Sequence, residues 1–352
     1  MRVVQFMIPS VGRRVGFVDG NEVVDVTSSD PSLTNVYDVF EKSQSSDTSF
    51  DQTLSKAGNS AKVSLLNYVE LLGASPGDKD PYLVAPFGHP DEHRVIVSGT
   101  GLTHTGSMQS RDQMHSDGEE SSNSSPQEPV TDSAKMFQMG IDGGKPAPGE
   151  RGVSPEWFYK GNGSIVRGPG EGLEIPVFAL DGGEEPELAG CYFIDKTGSP
   201  RRVGFTLGNE WADHETERIN YLYLAPSKLR SCSIGPELVT DFAFDQLRLE
   251  CSVERGGKLI YESGPLYSGE KYMSHTLANC EDHHFKYPLH RISGDAHIHF
   301  FGTSQISYSN RDWKFEPGDL ITISADGFSA PLHNTVVAGA AAEGQAIQVV
   351  KA

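Results

Sequence analysis

Cysteine is scarce in this 352-residue chain: there are four, Cys191, Cys232, Cys251 and Cys280, with no close pair among them. Zinc ribbons and C-x-x-C redox centres are thereby excluded, and reduced, mostly buried thiols of a cytosolic protein are expected. Basic residues are also short, 29 Lys and Arg against 48 Asp and Glu, for a net charge of −19. Gripping nucleic acid or an anionic membrane needs cationic side chains to neutralise phosphates, so both partners are excluded and a small molecule is expected instead. Long apolar runs are missing too, and no window reaches membrane-span length. The opening MRVVQFMIPSVGRRVGFV meets Arg2, Pro9, Arg13 and Arg14 before a signal-peptide core could form. A cytoplasmic location is expected. Internal repeats are absent, which removes solenoids and propellers.

Glycine is plentiful, 38 residues, and with the 37% hydrophobic fraction gives an ordinary globular composition. The length suits about two domains. Residues 3–7 (VVQFM), 15–18 (VGFV) and 22–26 (EVVDV) read as strands of a small meander punctuated by turn residues. Apolar spacings of three and four predict helices from Val36 to Phe40 and from Val63 to Leu72. The turn-rich ASPGDKDPY at 74–82 places a boundary between a small N-terminal α/β domain, 1–80, and a larger domain, 81–352. Within the latter, residues 116–130 (SDGEESSNSSPQEPV) have too little to bury and are expected to form a mobile insertion. From Trp157 onward the runs IPVFAL, CYFI, VGFTL, FDQLRLECSVE, KLIYES, AHIHFFGT and LITISA predict strands, with helices near 211–222 and 271–280. The fold class is α+β and β-rich, a mixed β-roll or barrel behind a small α/β domain.

Chemistry concentrates in GGEEPELAGCYFI, where Glu185 and Glu187 stand two apart at the start of a predicted strand. Period-two geometry turns both carboxylates to one side, where they can supply oxygens to a hard divalent cation. Glu210, in GFTLGNEWADH, follows the next predicted strand as a third acid. On pattern alone, a solvated acidic loop edge explains these residues equally well. A rival centre is the pair His297 and His299, also two apart, followed by PGD and a later His333, in the manner of a cupin. It lacks the Glu that a cupin places shortly after HxH. VIVSGTGLTH is no dinucleotide loop, since His104 stands where G-x-G-x-x-G requires glycine.

The ordered series E-x-E, GFTLGNEWADH, a Lys before SCSIGPELV, the segment ending at Lys160, HFFGTS and FEPGDLI resembles the fumarylacetoacetate hydrolase superfamily over most of residues 90–352. That resemblance implies a mixed β-roll with a divalent ion, usually Mg²⁺ with Mn²⁺ or Ca²⁺ as alternatives, on Glu185, Glu187 and Glu210. Members that hydrolyse carbon–carbon bonds carry a water-activating His where GLTHTGSM has Ser107. FQMGIDGGKPAPGE, PEWFYKGNGS, DGGEEPELAG and GNEWADHETERINYLYLAPSKLRSCSIGPEL are similar to the branch that dehydrates 2-keto-3-deoxy-pentonates.

The similarity to that branch implies a lyase in which the ion binds the carboxylate and 2-keto oxygens and stabilises the enolate left when a C3 proton departs. Lys228, desolvated beside the ion and lowered in pKa, is the expected base. Ser107 and Thr303 would handle the departing hydroxyl, Lys160 would bind the carboxylate end, and His104 is a second substrate-side candidate. A homodimer is implied as well. Two other classes stay open: a hydrolase or decarboxylase of β-diketo acids using the same ion, and a non-catalytic binder of sugar acids. Plainer roles also stand for each residue: an ion pair for Lys228, a helix cap for Ser107, a turn for Thr303 and a surface position for Lys160.

Overall fold

The computed structural model describes residues 1–109 and 131–352; the expected insertion at 116–130 lies outside the described residues. The N-terminal meander forms strands Arg2–Ile8, Gly12–Asp19 and Glu22–Asp25, paired antiparallel in sequence order. A further strand, Ser64–Asn67, completes its edge. That strand takes the first part of the segment whose spacing predicts a helix over 63–72. The helix is confined to Tyr68–Gly73 because the Asn67 side chain accepts from the amides of Val69 and Glu70 and starts it there. The expected helix at Val36 is found as Val36–Ser45. A second, Phe50–Gly58, arises in the Ser-rich stretch through a capping box between Ser49 and Gln52.

Arg2–Ile8 also pairs with Leu238–Val239, so the meander continues into a 13-stranded mixed sheet. Its centre runs through Pro200–Asn209, Pro186–Ile194, Ala296–Phe300, Val95–Gly101 and Glu156–Asn162. A six-stranded sheet packs against it, built on Leu247–Arg255, Leu320–Ala325 and Leu332–Ala338. All nine residues of Pro186–Ile194 are buried, since the strand has a core on each side. Leu188, Tyr192 and Ile194 meet Leu249, Val253, Ile321 and Ile323 of the smaller sheet. Ala189, Cys191 and Phe193 face the other way, toward Val36, Val39, Phe40 and Leu54 of the N-terminal helices. Residues 1–80 therefore share a core with the rest of the chain. Each fully buried aliphatic or aromatic side chain contributes about 1.5–3 kcal/mol.

The architecture is α+β and β-rich, as read from the sequence. Some elements shift. IPVFAL is no strand: Gly172–Ile175 ends at Pro176, which has no N–H for the ladder, and Val177, Phe178 and Leu180 are exposed. The helix expected at 211–222 is the shorter His214–Ile219, capped by Asp213, and Leu224–Lys228 follows it. The one expected at 271–280 begins later, as Leu277–Phe285 behind its cap Thr276. A helix at Asp132–Gly143 was not anticipated. All four cysteines are buried and unpaired. Among the described residues no helix is long and apolar enough to cross a membrane.

Candidate metal centre and active site

Pro186–Ile194 and Pro200–Asn209 pair with Pro186 opposite Asn209 and Glu187 opposite Gly208, which brings the Glu185 segment beside Glu210. The Glu210 amide donates to the Glu185 carbonyl at 3.0 Å, and the Glu185 amide to Asn209 Oδ1 at 3.1 Å. Carboxylate oxygens of Glu185, Glu187 and Glu210 lie within 4.8 Å of one another, and all three residues are buried. Burial removes the solvated-edge alternative.

Two lysines meet this cluster. Lys228 Nζ donates to Glu185 Oε1 at 2.5 Å and Glu210 Oε2 at 2.6 Å. Lys160 Nζ donates to the carbonyls of Trp211 (2.5 Å) and Lys228 (3.0 Å) and forms an ion pair with Glu210 Oε1 at 2.6 Å. Its ammonium is thus engaged inside the protein, and these partners would have to yield for the expected reach to a substrate carboxylate. Burial alone would depress the Lys228 ammonium, but Glu185, Glu210 and Glu217 together hold its pKa above the usual lysine range. The lowering expected from sequence presupposes a bound ion; among the protein groups alone the nearest charges are carboxylates, which favour the ammonium.

Burial pushes the Glu187 carboxyl well above its ordinary pKa, and Glu185 and Glu210 push it further. Glu210 is raised by burial, against the pull of Lys160 and Lys228. The two lysines bond Glu185 and Glu210 but not Glu187, so the third carboxyl group has no cation bonded to it. An all-oxygen, buried, electron-rich donor set of this kind fits a hard divalent cation.

Other residues come to the site that sequence reading did not select. His214 Nε2 lies 2.9 Å from Glu185 Oε1, and burial depresses the imidazole to about 3, so the neutral ring donates this bond. Glu184 turns away from its neighbour and accepts from Ser307 N at 2.6 Å and Ser307 Oγ at 2.8 Å. Glu187 Oε2 accepts from Gly302 N at 2.7 Å. The only signal for His214 and Glu184 was their place inside EWADH and GGEE, and for Gly302 and Ser307 their place in HFFGTSQIS, which does not say what each one meets.

Thr303 lies in the loop after Ala296–Phe300, its hydroxyl donating to the Gln305 carbonyl at 3.0 Å. Ser107 lies in a helical segment, its hydroxyl donating to the His104 carbonyl at 2.9 Å. A Cβ on Gly106 would collide with the Ser304 carbonyl, so this helix and the Thr303 loop are in direct contact. His104 is engaged elsewhere: Nδ1 pairs with Thr103 Oγ1 at 2.9 Å and Nε2 with Ser268 Oγ at 3.1 Å. Burial lowers it to about 4, and both nitrogens are occupied within the protein. His297 and His299 are buried, with Nδ1 atoms 2.9 Å from His284 Nε2 and Ser98 Oγ respectively. Among the described residues neither belongs to a three-ligand group, so the cupin-like centre is not formed.

No protein-family model matches the chain. A curated relative from Haloferax volcanii, a probable 2-keto-3-deoxyxylonate dehydratase, is 27% identical over 187 residues, 52% of this chain. The match spans only 60% of that relative's length. Among solved structures, 2-keto-3-deoxy-D-arabinonate dehydratase complexed with magnesium and 2,5-dioxopentanoate superposes with a TM-score of 0.67 at 16% identity, covering 96% of this chain and 99% of that one. Fumarylacetoacetate hydrolase from Exiguobacterium antarcticum superposes at 0.58, also at 16% identity, with 96% and 99% coverage. The chain therefore has the fumarylacetoacetate hydrolase-type fold, and the similarity to pentonate dehydratases read from its motifs is borne out.

Proposed function

We propose that this chain is a divalent-metal-dependent hydro-lyase that converts a 2-keto-3-deoxy-pentonate to 2-ketoglutarate semialdehyde, releasing one water and keeping the carbon skeleton intact. The observation that carries the reading is the buried Glu185, Glu187 and Glu210 group with Lys228 bonded into it. These carboxylates would hold the ion, which we take to be Mg²⁺. When bound, it supplies Lewis-acid polarisation of a 2-keto acid, acidifying the C3 proton without needing an activated water.

The chain's own residues do the rest. Lys228 is the group assigned to the C3 proton; with the carboxylates unneutralised it stays an ammonium, and balancing their charge frees the amine. Lys160 supports Glu210 from behind. Thr303 and Ser107 face the departing hydroxyl from two touching segments. His214 orients Glu185. The engaged nitrogens of His104 leave it no part as a water-activating base, which disfavours the hydrolase. We take the working form to be a cytoplasmic homodimer, with residues 1–80 as an N-terminal domain that buttresses the central sheet.

Incubating the protein with synthetic 2-keto-3-deoxy-pentonate, with Mg²⁺ or with EDTA, tests the proposal. Water loss is expected only with Mg²⁺, giving a five-carbon product. Two shorter fragments would establish the hydrolase, and binding without turnover the non-catalytic binder; either result overturns the dehydratase.

A further inference from the structure

Glu184 and Glu185 are adjacent, yet their carboxylates diverge. Glu185 joins the acid cluster, whereas Glu184 is fully buried, accepts two hydrogen bonds from Ser307, 123 residues away, and has the Arg311 charge favouring its ionised form. Ser307 closes the irregular stretch that follows Ala296–Phe300. At its near end this stretch is fastened by Gly302 N to Glu187 Oε2 and by Thr103 Oγ1, which donates to the Phe301 carbonyl at 2.9 Å. Beyond Ser307, the Tyr308 hydroxyl donates to Glu215 at 2.9 Å. Thr303 and Ser304 lie between the Glu187 and Glu184 attachments, with Ser304 against the helix that carries Ser107.

We propose that Glu184 is a positioning residue for the reaction: its carboxylate fixes the Gly302–Ser307 loop over the acid cluster and so sets where Thr303 and Ser107 meet the substrate. This rests on the dehydratase reading for its catalytic consequence, though not for the clamp itself. Burying a carboxyl group is costly even with the Arg311 charge favouring its ionised form, and one hydrogen bond to Ser307 would not require it. What the planar side-chain terminus supplies is two polar atoms on one rigid group, fixing both the amide and the hydroxyl of the same residue. Because the same short segment carries Glu184, Glu185 and Glu187, the loop and the ion ligands are held in one frame. Misplacing reacting groups by about 1 Å costs roughly a hundredfold in rate.

The test compares Glu184→Gln, Glu184→Ala and Ser307→Ala with the wild type. Glutamine retains both contacts, its oxygen accepting from the amide and its NH₂ donating to Ser307 Oγ, so its kcat should stay near wild type. Alanine should lower kcat by roughly a hundredfold, with little change in KM or in Mg²⁺ affinity. Amide hydrogen exchange, which needs no turnover, should show protection lost over 301–308 in Glu184→Ala and kept over 186–194. Unchanged kcat and exchange in Glu184→Ala, or equal losses in the Gln and Ala variants, would overturn the clamp. Should Glu184→Ala fail to fold, Ser307→Ala decides: faster exchange over 301–308 supports the clamp and wild-type exchange refutes it. A wild type inactive on the pentonate while exchange behaves as expected would remove the dehydratase reading and leave the clamp standing.

Discussion

Among the three clustered acids, Glu187 is the one with no lysine bonded to it: Lys228 donates to Glu185 and Glu210, Lys160 pairs with Glu210, and Glu187 accepts from a backbone amide. Its ionised form is opposed by burial and then by the charges of Glu185 and Glu210. Glu187→Gln keeps an acceptor for Gly302 N while removing one like charge. In EDTA the variant should therefore melt no lower than the wild type. The rise in melting temperature that Mg²⁺ gives the wild type, a consequence of ligand binding only the native state, should vanish along with turnover. Calorimetry with and without Mg²⁺ checks both points, and a variant that keeps the Mg²⁺-dependent rise would remove Glu187 from the ion's ligands.

The element that completes the site is the loop after Ala296–Phe300, and its geometry depends on Gly302. That residue has φ +93°, and a Cβ there would collide with Thr103 Oγ1, the atom that also bonds the Phe301 carbonyl and His104 Nδ1. Gly302→Ala thus meets both backbone strain and a steric clash, and should destabilise the protein by about 1–3 kcal/mol. Equilibrium denaturation measures it; a variant as stable as the wild type would show the loop to be freer than its hydrogen bonds indicate. The strand pair that presents Glu185, Glu187 and Glu210 was readable in advance, since β-branched and aromatic residues bounded by turn residues mark CYFI and VGFTL. The loop was not. HFFGTS carries no periodicity, and its path is set by side chains from three distant segments.

At the scale of the whole molecule, several imidazoles are buried at or beside the central sheet. Burial depresses His297 and His299 to about 3 and His104 to about 4. A histidine whose folded pKa lies below its unfolded value of about 6.5 contributes stability that is complete above 6.5 and lost as pH falls toward the folded value. Asp181, raised by burial to about 6, works in the opposite sense over the same window, so one histidine is best isolated by difference. Between pH 7 and pH 5 the wild type should lose about 2 kcal/mol more stability than His299→Gln. Denaturation at the two pH values tests this, and parallel losses would show that His299 is protonated in the folded state.

The sequence by itself determined a β-rich fold and the acids that cluster. Each of those follows from composition or from a spacing of two along a strand, which is a local property. Tertiary structure alone decided where the remaining polar groups point. Lys160 reaches the Trp211 carbonyl 51 residues on, His104 is matched with Ser268 across 164, and Glu184 finds Ser307 across 123. No local rule says what each neighbour meets: Glu184 bonds Ser307, whereas Glu185 bonds Lys228 and His214. The difference arises because adjacent residues of an extended chain face opposite sides, and only the packed sheets decide what each side meets.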